Sequence, residues 1–184
     1  MAKLNNESEL IAKVLISQDQ QAFSLLVKHY QSPLRQYCRR LCTPDQALAD
    51  DIAQDTFWQA YKKLNLFSAR ASFQTWLFRI AYFQFLQHLR RQKNYQELDE
   101  DLGTECQAGQ IMDKHDIETA MCQLKTSERA CITLQYSFGY TQEEISDMLD
   151  TPLGTVKSHI KRGKEKLTAL LQQTSCQAQL TGAA

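Results

Sequence analysis

An all-α chain of two small helical domains joined by a flexible acidic linker is the fold predicted by the sequence. Apolar residues recur at helical spacing through most of the 184 residues. No period-two run bounded by turn residues occurs, so no sheet is expected. Charge changes sign in blocks along the chain. The expected division is a helical domain at 1–94, the acidic linker at 95–116, a helix-turn-helix domain at 117–172 and a polar tail at 173–184.

Phe23, Leu26, Val27, Tyr30, Leu34, Tyr37 and Leu41 follow the helical period and predict a first amphipathic helix. Ile52, Ala53, Phe57, Ala60 and Leu64 predict a second. A third is expected from about Ser72 to Arg91, with an inner stripe of Phe73, Trp76, Leu77, Ile80 and Phe83 or Gln84. The pattern then lapses into NYQELDEDLGTECQAGQIMDKHD, which has two glycines and no continuous apolar face, the composition of a tether. It returns in Ile117 to Leu124, in SERACITLQY, and in TQEEISDMLD, where Thr141 and Glu144 form a capping box before Ile145, Met148 and Leu149. Asp150-Thr151-Pro152 ends that helix and starts another, with Thr151 as expected N-cap and Pro152 as first helical residue.

Lys and Arg total 21, Asp and Glu also 21, so net charge is uninformative and distribution decides. Residues 56–96 hold seven basic side chains and no acidic one. Eight acidic residues from Glu97 to Glu118 oppose only Lys114, and beyond Thr151 five basic residues face only Glu165. Two basic modules thus flank an acidic segment, which suits a polyanionic partner despite the neutral total. The N-terminus has no apolar signal core, and no stretch is long and apolar enough for a membrane span, so a cytoplasmic location is expected. The six cysteines are therefore read as free thiols. Cys38 and Cys42, with His29 upstream, raise a metal or redox sensor as a third functional class, but their spacing fits no standard zinc pattern.

In DTPLGTVKSHIKRGKEKL, Leu153, Val156, Ile160 and Leu167 define an inward stripe. Lys157, Ser158, Lys161, Arg162 and Lys164 must then project outward, toward the end of the second helix that enters a major groove. Cations there offset phosphate repulsion, and Lys or Arg can donate to guanine O6 and N7.

At these residues a family resemblance emerges. YTQEEISDMLDTPLGTVKSHIKRGKEKL resembles the C-terminal DNA-binding region of bacterial sigma factors, and DDIAQDTFWQAYKKLNLFSARASFQTWLFRIAYFQFLQHLRRQK resembles their second conserved region. With no middle domain between them, the chain is similar to the compact extracytoplasmic-function group of the sigma-70 family over residues 10–172. The C-terminal motif is also similar to the DNA-binding tail of response regulators, so a stand-alone helix-turn-helix regulator is the alternative. Nothing in residues 1–95 supplies the strands or strand-end aspartate of a receiver domain.

The resemblance implies a transcription factor and not an enzyme, with core RNA polymerase and promoter DNA as partners, no small-molecule substrate, and no cofactor or metal. It also implies an anti-sigma factor, often membrane-anchored, which no residue here identifies. Asp51, Gln54 and Asp55 form one polar helical stripe, and the matching family positions bind the polymerase clamp. On the residues alone the stripe fits an ordinary exposed face equally well. Thr155, Lys157, Ser158, Lys161, Arg162 and Lys164 are implied for the minus-35 element. Lys62, Lys63, Ser68, Arg70, Ser72, Phe73, Arg79, Arg90 and Arg91 are implied for minus-10 binding and melting, the arginines chiefly on phosphate. The loop SARAS departs from the usual pattern at Ala69, where an arginine followed by glycine is common. The acidic linker matches a segment that family members thread through polymerase channels; a merely solvating tether is the plainer reading.

Overall fold

The computed structural model describes the backbone of residues 6–96 and 116–181, and side chains within 6–92 and 117–172. Among these residues there is no strand. Helix α1 (Glu7–Ser17) precedes the first expected element; it buries Leu10, Ile11 and Val14, and its Glu7 carboxylate accepts from the Tyr30 hydroxyl. Helix α2 (Gln20–Leu41) starts at Asp19, whose Oδ1 accepts from the N–H groups of Gln21 and Ala22 at 2.8 and 3.1 Å. Helix α3 (Gln46–Lys62) starts the same way at Asp45, on the Leu48 N–H at 2.9 Å. A single 3₁₀ turn, Leu64–Leu66, leads through the SARAS loop into α4 (Phe73–Gln96), where Ser72 Oγ caps the Thr75 N–H at 3.1 Å.

The second half comprises α5 (Asp116–Cys122), α6 (Thr126–Ile132) continued by a π turn at Thr133–Ser137, α7 (Gln142–Leu149) and α8 (Leu153–Thr181). The α7 capping box forms as expected: Thr141 Oγ1 accepts from Glu144 N at 3.2 Å, and Glu144 Oε2 from Thr141 N at 2.8 Å. The next cap differs from expectation. Thr151 Oγ1 donates back to the Leu149 carbonyl at 3.1 Å. The Pro152 carbonyl instead accepts from Thr155 and Val156, so α8 begins at Leu153. The helix also continues beyond the expected domain end at 172, through Thr181.

Helix α4 departs most from its expected stripe. Phe73 and Leu77 are buried as read, but Phe78, Ala81, Tyr82 and Phe85 are buried too, while Trp76, Ile80, Phe83 and Gln84 are only half-buried. Two partners explain this. Phe73 and Leu77 join α1, α2 and α3 in one core around Leu10, Val14, Leu26 and Tyr30. Phe78, Tyr82 and Phe85 join a second core that spans both halves, with Tyr37 and Leu41 of α2 and Leu134, Met148 and Leu149 beyond the linker. Tyr37 stacks on Phe78 with centroids 4.6 Å apart, and the Phe138 ring meets Phe78 edge-on at 4.8 Å.

Candidate nucleic-acid and partner interfaces

Helix α8 buries Val156 and Ile160 and half-buries Leu153 and Leu167. Gly163 completes that inner face: a Cβ there would lie 2.8 Å from Ile132 Cγ1, so only glycine lets α8 cross α6 this closely. Thr155, Lys157, Ser158, Lys161, Arg162 and Lys164 are all exposed. Ser158, Lys161 and Arg162 lie opposite the buried stripe, whereas Lys157 and Lys164 stand to one side of it and Thr155 to the other. Ser158 Oγ donates to the Gly154 carbonyl at 3.0 Å and Arg162 Nε to the Ser158 carbonyl at 3.2 Å, so both lie against their own helix without DNA. His159, between the two faces, has its pKa lowered by burial and by the charge of Arg162, which keeps its imidazole neutral near pH 7.

The minus-10 set divides. Ser68, Arg70, Ser72 and Arg79 are exposed around the start of α4, whereas Arg90 and Arg91 lie about 16 Å further along the helix. Phe73 has none of its surface exposed, which corrects its reading as a base contact: it supports the loop from inside. Lys62 is exposed. Its ammonium lies 4.6 Å from the Trp58 ring centroid, on the α3 face that carries Asp51 and Asp55. Lys63 is exposed at the C-cap of α3. Ala69 adopts φ 55°, a left-handed backbone conformation that residues with a side chain rarely take.

The loop and the start of α4 face the α7–α8 turn across a groove of about 870 Å³, lined by Arg70, Trp76, Arg79, Asp147, Asp150 and Pro152 among others. Thr75 Oγ1 donates to the Tyr140 hydroxyl at 3.3 Å. Arg79 Nη1 donates to the Asp147 carbonyl at 2.8 Å, a cation on the carbonyl end of α7. Thr75, Tyr140 and Asp147 were not singled out from sequence, because their partners are more than 60 residues away.

On α3, Asp51, Gln54 and Asp55 are exposed, and among the described residues the two aspartates have no ion pair. Asp50 next to them faces Arg35 and Arg39 at 3.9 and 3.8 Å. The thiols of Cys38, Cys42 and Cys131 are free and buried. Burial raises all three, Cys42 and Cys131 to about 12, so as placed they are protonated and poor nucleophiles or ligands. No metal-binding cluster occurs among the described residues.

A helix-turn-helix with an outward basic face, a second basic helical module and an acidic helical face define a two-module helical DNA-binding protein. The comparisons with known proteins agree. The family model described as Sigma-70 region 2 matches residues 26–95, and that described as Sigma-70, region 4 matches 114–167. The chain is similar to the ECF RNA polymerase sigma factor SigW of Bacillus subtilis, at 31% identity over 89% of this chain and 98% of the relative. It is 32% identical to the RNA polymerase sigma-H factor of Pseudomonas aeruginosa, over 84% of this chain and 88% of the relative. Its fold matches that of CnrH, solved with the cytosolic domain of CnrY, with a TM-score of 0.64 and 27% identity over 92% and 99% of the two chains. Sigma factor RpoE of Bartonella quintana, solved with the anti-sigma factor NepR, shares the fold with a TM-score of 0.69 at 24% identity, over 82% and 96%. The chain belongs to the extracytoplasmic-function group of the sigma-70 family and is an RNA polymerase sigma factor. That sets aside the stand-alone regulator.

Proposed function

We propose that the chain docks on core RNA polymerase through Asp51, Gln54 and Asp55, reads the minus-35 element with the outward face of α8, and contacts the minus-10 element with Ser68, Arg70, Ser72 and Arg79. In this reading it performs no catalysis of its own. Its part is to position the polymerase on the promoter and hold the opened strand. The observation that carries the assignment is the opposite charge of two outward faces in one chain. An acidic stripe whose aspartates have no ion pair among the described residues suits Arg and Lys on a protein, and a basic recognition helix suits phosphate and guanine.

Arg90 and Arg91 extend the basic surface along α4 as phosphate contacts, and Lys63 adds a charge near the loop. The domains proposed are 1–94 and 117–172; the acidic linker at 95–116, proposed to enter the polymerase channels, lies almost wholly outside the described residues. No helix among the described residues is long and apolar enough to cross a membrane. A cytoplasmic location and restraint by an anti-sigma factor belong to this reading; RpoE was solved with the anti-sigma factor NepR and CnrH with the cytosolic domain of CnrY. Membrane attachment would then come through the anti-sigma factor.

The test is holoenzyme assembly. Asp51→Lys and Asp55→Lys are expected to abolish co-elution with purified core polymerase while leaving the circular dichroism spectrum intact, because reversal adds repulsion to a lost bond. Normal assembly by both variants would refute the docking assignment.

A further inference from the structure

Helix α3 sorts its side chains against size. It buries Ala49, Ala53, Thr56 and Ala60 together with Ile52, yet leaves Trp58 56% exposed. Of the exposed large apolar residues among those described, Trp58 alone lies on α3. Single exposed apolar residues are ordinary on a protein surface, so exposure alone carries nothing. Register and surroundings carry more. Trp58 is seven residues after Asp51 and three after Asp55, which puts all three on one stripe. Lys62, one turn later, holds its ammonium over the indole and so restrains the ring.

We propose that Trp58 is the apolar anchor of the polymerase-docking face, seated against an arginine-bearing surface of core RNA polymerase. The inference rests on the docking role proposed above for Asp51 and Asp55 and deepens it. Carboxylates alone orient a partner but bind weakly where water screens them. A rigid indole beside them on the same stripe supplies the area that a partner desolvates, and tryptophan is enriched among residues that anchor interfaces. Arginine is the cation that fits this stripe, because its planar guanidinium stacks on an indole face and pairs side-on with a carboxylate. Lys62 then belongs to the protein interface, where it steers the ring, and not to the DNA surface assigned to it from sequence.

The experiment measures binding of the full chain to purified core polymerase at low and high salt, for Trp58→Ala, Trp58→Phe and Asp55→Lys. Trp58→Ala is expected to weaken binding tenfold or more at both salt concentrations, and Trp58→Phe to recover most of the loss. The Asp55→Lys defect should shrink as salt screens it. With 5-fluorotryptophan incorporated, the chain has two reporters, Trp58 and Trp76. The Trp58 fluorine resonance should shift on adding polymerase, and in Trp58→Ala the Trp76 resonance should keep its free-chain position, which verifies the fold. If Trp58→Ala binds within twofold of wild type while Asp55→Lys fails, the anchor role is overturned and the docking face stands. If both variants bind normally, the docking face falls and the anchor with it.

Discussion

Arg162 is exposed on α8, with its Nε spent on the Ser158 carbonyl. Exchanging that weak intrahelical bond for a guanine edge costs little, and a bidentate pair discriminates bases by about 1–3 kcal/mol. Arg162→Ala in the reconstituted holoenzyme should therefore lose that amount on the cognate promoter and less on promoters substituted in the minus-35 element. An equal loss on every sequence would reassign it to phosphate. Glu128 illustrates a residue whose importance is structural. It is 1% exposed, accepts from Lys166 Nζ at 2.7 Å and from the Lys125 N–H at 3.2 Å, and so ties α8 to the start of α6. Burial works to raise its carboxyl, but Lys166, Lys125 and the charge of Arg162 outweigh burial and hold it below its ordinary 4.5. A depressed folded value stabilises the fold above the unfolded value and is lost as pH falls through the folded one. Thermal melts should show Glu128→Gln less stable than wild type at pH 7, with the gap closing below about pH 4.5. A gap independent of pH would deny the pair its role.

At the scale of elements, α8 and α6 meet where Gly163 faces Ile132. In an open helix Gly→Ala gains about 0.5–1 kcal/mol, whereas forcing a methyl into a packed contact costs about 1–3 kcal/mol. Gly163→Ala is expected to destabilise the chain by denaturant titration, and Ile132→Ala added to it should cost less than Ile132→Ala in the parent. Additive losses would place the two residues out of contact. The period in the sequence located α2, α3, α4 and α7 because each has a continuous apolar stripe. It passed over α1, although Leu10, Ile11 and Val14 have helical spacing, because Leu15 and Ile16 lie exposed beside them and blur the stripe. The inner face of α4 was half misread for the opposite reason: a helix packed on two sides has two stripes, and a single-stripe reading takes only the first.

Across the whole molecule, the two DNA-reading modules are packed on each other. Phe138 and Tyr140 pack on Phe78, and Arg79 is held by the Asp147 carbonyl, so α7 covers the loop end of α4. In this arrangement the Arg79 guanidinium is engaged by the Asp147 carbonyl, and the start of α4 faces the α7–α8 turn. The isolated protein should therefore bind promoter fragments weakly and without sequence preference at physiological salt, and tightly only with core enzyme present. Phe138→Ala, which removes a ring from the shared core, should raise DNA binding by the isolated chain severalfold. Tight, sequence-dependent binding by the unmodified isolated chain would contradict this closure.

Helix period, the Thr141–Glu144 capping pair and the blocks of charge are local properties, and they sufficed for an all-α fold, a helix-turn-helix and the outward basic face of α8. They sufficed also for the acidic stripe on α3, since residues three and four apart share a helical face whatever the rest of the chain does. Packing between distant segments decided the remainder. Phe78, Tyr82 and Phe85 went inside and Trp58 outside, and Arg79 met Asp147 across 68 residues of sequence. The physical reason is that burial belongs to pairs of surfaces: a helix carries its stripes in its own sequence, but which stripe meets solvent, DNA or another helix depends on partners that a local reading does not contain.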